Sequence, residues 1–230
     1  MDVRGVKGIA VFESQEAFVA ASVVYDRQGR IYLGGQATST DNFTPVIVRL
    51  LEGGSVDPSF GTAGMGRYDV ASLGTGSIAA LVITPDDCVI AVGNTATDAS
   101  VDSVLTNDCF ALRIRADGVL DPAFGRGGWI RWDWGYGQSN MLRRALLRSD
   151  GRLAACGHSF LASLLEGQRA SVVQLTPAGN FDAAAAGAGR SLLMHLANSE
   201  CTAMTEDSKR RLVLGGSMNP MRAFVARTAN

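Results

Sequence analysis

The chain has 230 residues, 47% of them hydrophobic and 19% charged, with a net charge of −1 and a pI near 6.1. That balance argues against nucleic acid or an anionic membrane surface as the main partner. No window approaches the ~18 consecutive apolar residues of a transmembrane helix. The opening MDVRGVKGIAVFESQEA has neither the long apolar core nor the cleavage site of a secretory signal. The cytoplasm is therefore the default compartment, with an extracellular one to be considered if the chain has been trimmed.

Read in order, the elements come from one pattern written four times. AASVVYDRQGRIYLGG (20–35), IAALVITPDDCVIAVG (78–93), LRRALLRSDGRLAACG (142–157) and CTAMTEDSKRRLVLGG (201–216) align without a gap. They end on Gly35, Gly93, Gly157 and Gly216, at spacings of 58, 64 and 59 residues. A fixed period in this range is the signature of a stacked repeat, and it favours one body over two domains. Each pattern holds two short β-rich runs around Gln28-Gly29, Asp86-Asp87 or Asp150-Gly151, the form of a hairpin with a tight turn. A second anchor follows: VIVRLLEGGSVDPSFGTAGMGRY (46–68), FALRIRADGVLDPAFGRGGWIRW (110–132) and a weaker SVVQLTPAGNFDAAAAGAGRSLL (171–193). A unit thus reads as four strands, A to D, with C and D flanking the Asp-Pro-x-Phe-Gly segment. The Ala183–Ala186 run reads as loop.

Four-stranded sheets repeated radially make a β-propeller. The expectation is an all-β, four-bladed propeller formed as a single domain over 1–230. Its blades lie at approximately 20–70, 78–134, 142–195, and 201–230 plus 5–13. The last unit carries strand C at Arg222–Arg227 and no strand D, whereas Gly5–Phe12 matches strand D at Gly61–Tyr68. The N-terminal strand is therefore expected to complete the last blade and remove an open edge. An eight-bladed ring of two chains is the alternative closure.

The pattern A-x-A-L-x-x-x-P-D-G-x-I-x-V-x-G followed by L-D-P-x-F-G, with Ile78–Gly93 and Leu120–Gly125 as its nearest copy, resembles the delta-60 repeat family of bacterial repeats. The resemblance implies a propeller with a binding or structural role and supplies no catalytic residue. Two departures stand out: Arg210 replaces the turn glycine in the fourth unit, and the third unit has lost Pro and Phe after Asp182.

Candidate chemistry gathers around the third blade. Trp129, Trp132 and Trp134 are all the tryptophans of the chain, and Trp132 and Trp134 share one face by the two-residue period of a strand. Tyr136 and Asn140 follow. Arg143 and Arg144 then stand where other units carry Ala21-Ser22, Ala79-Ala80 and Thr202-Ala203. A buried unpaired charge costs several kcal/mol, so a partner is expected, with Glu200 and Asp133 as candidates. Both histidines, His158 and His195, map to the same face. Trp132, Trp134, Tyr136, Asn140, Arg143, Arg144, His158, His195 and Glu200 form the candidate ligand-binding group: aromatic walls with a few convergent polar side chains. The plainer reading makes the arginines bridges to Glu200 and Asp133, and the tryptophans packing between blades.

Elsewhere there is no P-loop, HExxH or zinc spacing. Gly157-His158-Ser159 opens like a nucleophile elbow but lacks its final glycine and helix. Asp98, Asp102 and Asp108 offer oxygen for weak calcium binding, with a solvated loop the plainer reading. Cys88, Cys109, Cys156 and Cys201 read as buried free thiols. The leading function is a non-catalytic binding module for a small anionic or aromatic ligand or a protein partner. The alternative is a lyase-, hydrolase- or cyclase-type enzyme, with an arginine stabilising an anion and a histidine moving a proton. A third reading is an oligomer with the tryptophan face as interface. No cofactor, metal, nucleic acid or membrane is expected, and the chain is expected to be a monomer or homodimer.

Overall fold

The computed structural model describes residues 17–38, 43–68, 75–97, 106–134, 139–160, 167–219 and 221–228, with the backbone of 2–6 and 9–13. Strands β1 (Asp2–Val6) and β2 (Ile9–Glu13) come first. The first sheet holds β3 (Ala17–Tyr25), β4 (Ile31–Thr38), β5 (Phe43–Leu50) and β6 (Met65–Arg67). The second holds β7 (Thr75–Ile83), β8 (Val89–Thr97), β9 (Thr106–Ile114) and β10 (Trp129–Trp132). The third holds β11 (Asn140–Leu147), β12 (Leu153–Phe160), β13 (Gln168–Leu175) and β14 (Arg190–Ala197). The fourth holds β15 (Ser199–Glu206), β16 (Leu212–Met218) and β17 (Arg222–Arg227). Each is an antiparallel meander in chain order, so the molecule is all-β and propeller-like in its blades, as the repeat requires.

The repeat is a bulged hairpin. At its turn the N–H of Gly29, Asp87, Gly151 and Arg210 donates to the carbonyl of Asp26, Thr84, Arg148 and Asp207. The four donors have φ of 73, 60, 82 and 59°, the left-handed position that follows a type I turn in a three-residue hairpin loop. Further up strand A the register slips between Ala20/Ser22, Ile78/Ala80, Leu142/Arg144 and Cys201/Ala203. Four bulges at one repeat position explain the closing glycine. A Cβ at Gly35, Gly93, Gly157 or Gly216 would collide with the carbonyl oxygen of Val19, Ser77, Met141 or Glu200, just before the bulge.

Burial occurs between sheets. Tyr32, Ile47, Phe60, Leu81, Phe110 and Leu112 fill the first junction. Val92, Phe124, Trp132, Leu142 and Val173 fill the second, and Cys156, Val172, Cys201, Leu214 and Phe224 the third. Among the described residues no fourth core joins the last sheet to the first: Val19, Val23 and Tyr25 of β3 and Val225 of β17 are exposed.

The expected closure by Gly5–Phe12 is not the pairing found. Asp2–Val6 pairs antiparallel with Ile9–Glu13 in a separate two-stranded sheet, and the fourth sheet ends at β17. A hairpin between adjacent segments satisfies their backbone groups with little loop-closure entropy, whereas the remote edge of β17 requires closing the whole chain. The Ala183–Ala186 loop leads into a short turn in which Ala188 (φ 51°) repeats the left-handed Ala63 (φ 51°) of the first unit.

Candidate functional site

The site starts from the β11 bulge. Leu142 pairs with Gly157 and Arg144 with Cys156, so Arg143 is the extra residue. Bulges re-aim side chains, and here Arg143 reaches the next sheet. Its Nε donates to Glu200 Oε1 at 2.5 Å, with the two side chains 43% and 20% exposed. Arg144 is exposed; its Nη1 donates to the Arg143 carbonyl at 3.0 Å, and no carboxylate among the described residues pairs with it.

His158 is buried, with Nδ1 3.4 Å from Glu200 Oε1 and its ring edge-on to Phe160. Burial pushes the imidazole below its usual pKa; the Glu200 carboxylate opposes that shift and Arg143 adds to it. The position has a precedent one blade earlier. Asn94, its equivalent in the repeat, brackets Leu142 by accepting from its N–H at 2.6 Å and donating to its carbonyl at 3.3 Å. His158 thus occupies a position used to hold adjacent sheets together, and there it meets a carboxylate shared with an arginine. Asn140 is buried and accepts from the Ser159 hydroxyl at 2.5 Å, tying β11 to β12. That bond also accounts for Ser159, the elbow-like serine.

The other sequence-selected residues lie on the outer rim. Trp132 is on β10, the outer strand of the second sheet, edge-on to Phe181 at 6.0 Å. Trp132 and Trp134 are both buried in the core between the second and third sheets. His195 is exposed on β14, three strands from β11, which at ~4.8 Å per strand places it ~14 Å away. The structure therefore brings Arg143, His158 and Glu200 together with Arg144 beside them, sets Asn140 with Ser159 on the opposite face of the sheet from His158, and leaves Trp132, Trp134 and His195 apart from them. Tyr136 lies outside the described residues. Asp133, the other candidate partner for the arginines, accepts from Arg190 through its carbonyl.

No group of three or more metal-ligating side chains occurs among the described residues. Asp98 and Asp102 of the proposed calcium loop lie outside them, and Asp108 accepts from Arg131 Nε at 2.6 Å. All four cysteines are free and buried. No helix is long and apolar enough to cross a membrane.

One polar feature went unread in the sequence. Arg49 is buried, pairs with Asp57 at 2.8 Å, lies over Phe60, and donates to the Ala116 carbonyl of the next sheet. Arg113 repeats this with Asp121 at 3.0 Å and the Pro177 carbonyl at 3.2 Å. The signal was the recurring eight-residue spacing from arginine to the Asp of Asp-Pro-x-Phe-Gly.

Fold and site define the class, a β-propeller-type repeat array. Residues 29–60 match a family described as a β-propeller domain of unknown function, DUF5122. No curated protein sequence matches the chain. Among solved structures, an endo-arabinase from Bacteroides thetaiotaomicron VPI-5482 is 13% identical, covering 90% of this chain and 73% of its own, with a TM-score of 0.48. MPT-4, a mannose phosphorylase from Leishmania mexicana in complex with phosphate ion, is 10% identical, covering 94% and 84%, with a TM-score of 0.29. At these scores neither likeness bears on activity.

Proposed function

We propose that the chain is a non-catalytic binding propeller of the delta-60 repeat type, with Arg144 and the Arg143–Glu200 pair forming an anion-recognising edge on the third blade. The four sheets serve as its blades. The observation that carries the reading is the exposed Arg144, set beside a bulge and without a carboxylate partner among the described residues. A guanidinium presents a planar fork of donors suited to a carboxylate or phosphate. Arg143, only half shielded by Glu200, is close enough in sequence to share such a ligand.

The test is a thermal melt followed by Trp132 and Trp134 fluorescence, with small dicarboxylates and inorganic phosphate as probes. A probe at ~100 times its dissociation constant stabilises by about 2.7 kcal/mol, a shift of several degrees for a chain of this size. The expected result is a shift in the parent that disappears in Arg144→Ala. No shift with any probe, and an unchanged melting point for Arg144→Ala, overturns the reading.

A second reading, an enzyme, rests on the His158–Glu200 approach: a buried neutral imidazole beside a carboxylate is equipped to move a proton. It requires turnover that is lost in His158→Gln while probe binding at Arg144 persists.

A further inference from the structure

The three junctions between sheets share one construction, and its two halves are left over at the ends of the array. In the repeat, counted from Ala20, Ile78, Leu142 and Cys201, position 4 of one unit meets position 15 of the unit before in the core between their sheets. Leu81 drops onto Gly34, where an added Cβ would lie 2.8 Å from Leu81 Cγ. Ala145 joins Val92 in the second core, and Met204 joins Cys156 in the third. The residues at the two positions differ in size in opposite directions at the first two junctions, Leu with Gly and then Ala with Val, and the third combines Met with Cys. The unused position 4 is Val23, 64% exposed on β3. The unused position 15 is Gly215, whose added Cβ would find its nearest neighbours at 3.9 Å, both in its own sheet. A projecting valine and an empty glycine hollow make the Leu81–Gly34 pairing over again.

The backbone staples tell the same story. Gly61 N–H donates to the Asp117 carbonyl at 2.9 Å, and Arg49 to Ala116 beside it. At the second junction Gly125 N–H donates to Ala178 at 2.8 Å, and Arg113 to Pro177. The corresponding carbonyls of the first unit belong to Glu52 and Gly53, both exposed and with no donor among the described residues. The matching arginine of the last sheet, Arg227, is 53% exposed. In sequence, residues 5–12 match strand D and directly precede β3, as residues 61–68 precede β7. By the repeat's own order a strand D belongs to the sheet before, and among the described residues the fourth sheet has three strands.

We propose that the β3 face of one chain docks on the β16–β17 face of a second copy of this chain, and reciprocally, so that two copies close an eight-bladed ring. Propellers hold roughly four to eight blades, and two copies of this 230-residue chain bring eight blade-like sheets. In a single copy the described residues of the end faces, Val23 and Val225 among them, stay exposed and share no core. Two identical reciprocal contacts satisfy both ends and leave no open edge. The occupant follows from continuity, since these surfaces are the same construction that the inner sheets already bury.

The experiment is light scattering after size exclusion on the 230-residue chain across a dilution series, with Val23→Asp and Gly215→Trp alongside. Both positions are open in a single copy, so both variants keep the parent's far-ultraviolet circular dichroism. The expected parent mass is twice 24.2 kDa, with each variant at 24.2 kDa. A parent at 24.2 kDa throughout, a parent of three or more copies, or a doubled mass that survives both substitutions overturns the proposal.

Discussion

His158 shows how one residue carries both a structural and a chemical reading. Its ring is held neutral by burial, against the pull of Glu200 and with the help of Arg143. The unfolded chain takes up the proton near the ordinary value of about 6.5, and the folded chain only at lower pH. The stability tied to the neutral ring is therefore fully present above about pH 6.5 and is lost as the pH falls below it. The carboxylates that the fold holds low, Asp26, Asp57, Asp86, Glu206 and Asp207, act in a lower window, below about pH 4. Urea unfolding at a series of pH values separates the two. The parent should begin to lose stability as the pH falls below about 6.5, whereas His158→Gln should stay flat until it joins the parent's decline in the carboxylate window. Parallel curves would mean that Glu200 compensates the proton in full, which would strengthen the case for a charged His158–Glu200 pair.

At the scale of the element, the hairpin turn holds a residue with a side chain at its left-handed position in two units, Asp87 in the second and Arg210 in the fourth. Arg210 holds φ 59° where Gly29 and Gly151 hold 73° and 82°. A left-handed backbone costs an L-residue about 1–2 kcal/mol, and glycine gives back about 0.5–1 kcal/mol in chain entropy. Arg210→Gly should therefore stabilise by about 0.5–1 kcal/mol. The Arg210 carbonyl that accepts from Arg148 Nη2 is retained in the variant. A rise in denaturation midpoint with unchanged slope is the expected readout, and no rise would mean that the arginine side chain contributes as much as the turn loses. This turn was legible in the sequence because Gly29 and Gly151 mark it in aligned copies, and so was the strand order, since each unit repeats the same alternation. The arginines of the β11 bulge stood out against alanine and serine, and Glu200 was readable as a partner for Arg143. What strand periodicity withholds is which sheet a face packs on. Trp132 and Trp134 alternate correctly, yet whether they turn to a pocket or to Phe181 depends on the neighbouring blade. The pairing of residues 5–12 was equally open, because a strand pattern fits a local partner as well as a distant edge.

For the whole molecule, stability should follow the logic of an array, in which each unit contributes its own share and one interface with each neighbour. The junctions are not equal. Gln174 stands in the third unit where Arg49 and Arg113 stand in the first two. Arg148 takes over by reaching across, with Nε to Glu206 Oε1 at 2.9 Å, while Glu206 Oε2 accepts from the Ser149 N–H at 2.8 Å. Both Arg148 and Glu206 side chains are largely buried, at 10% and 12% exposure. Removing the carboxylate leaves Arg148 short of its charge partner, a loss of about 2–3 kcal/mol. Because the fourth sheet shares a core with one other sheet among the described residues, that loss should fall on it rather than on the array. Placed on Val23→Asp, which keeps the chain a single copy, Glu206→Ala should speed amide exchange in β15–β17 by about a hundredfold and leave β7–β9 unchanged, as expected when a terminal unit opens separately. Equal acceleration in all sheets would show that the array opens as one cooperative body. In that case the ends are coupled as firmly as the middle, as a closed ring would make them.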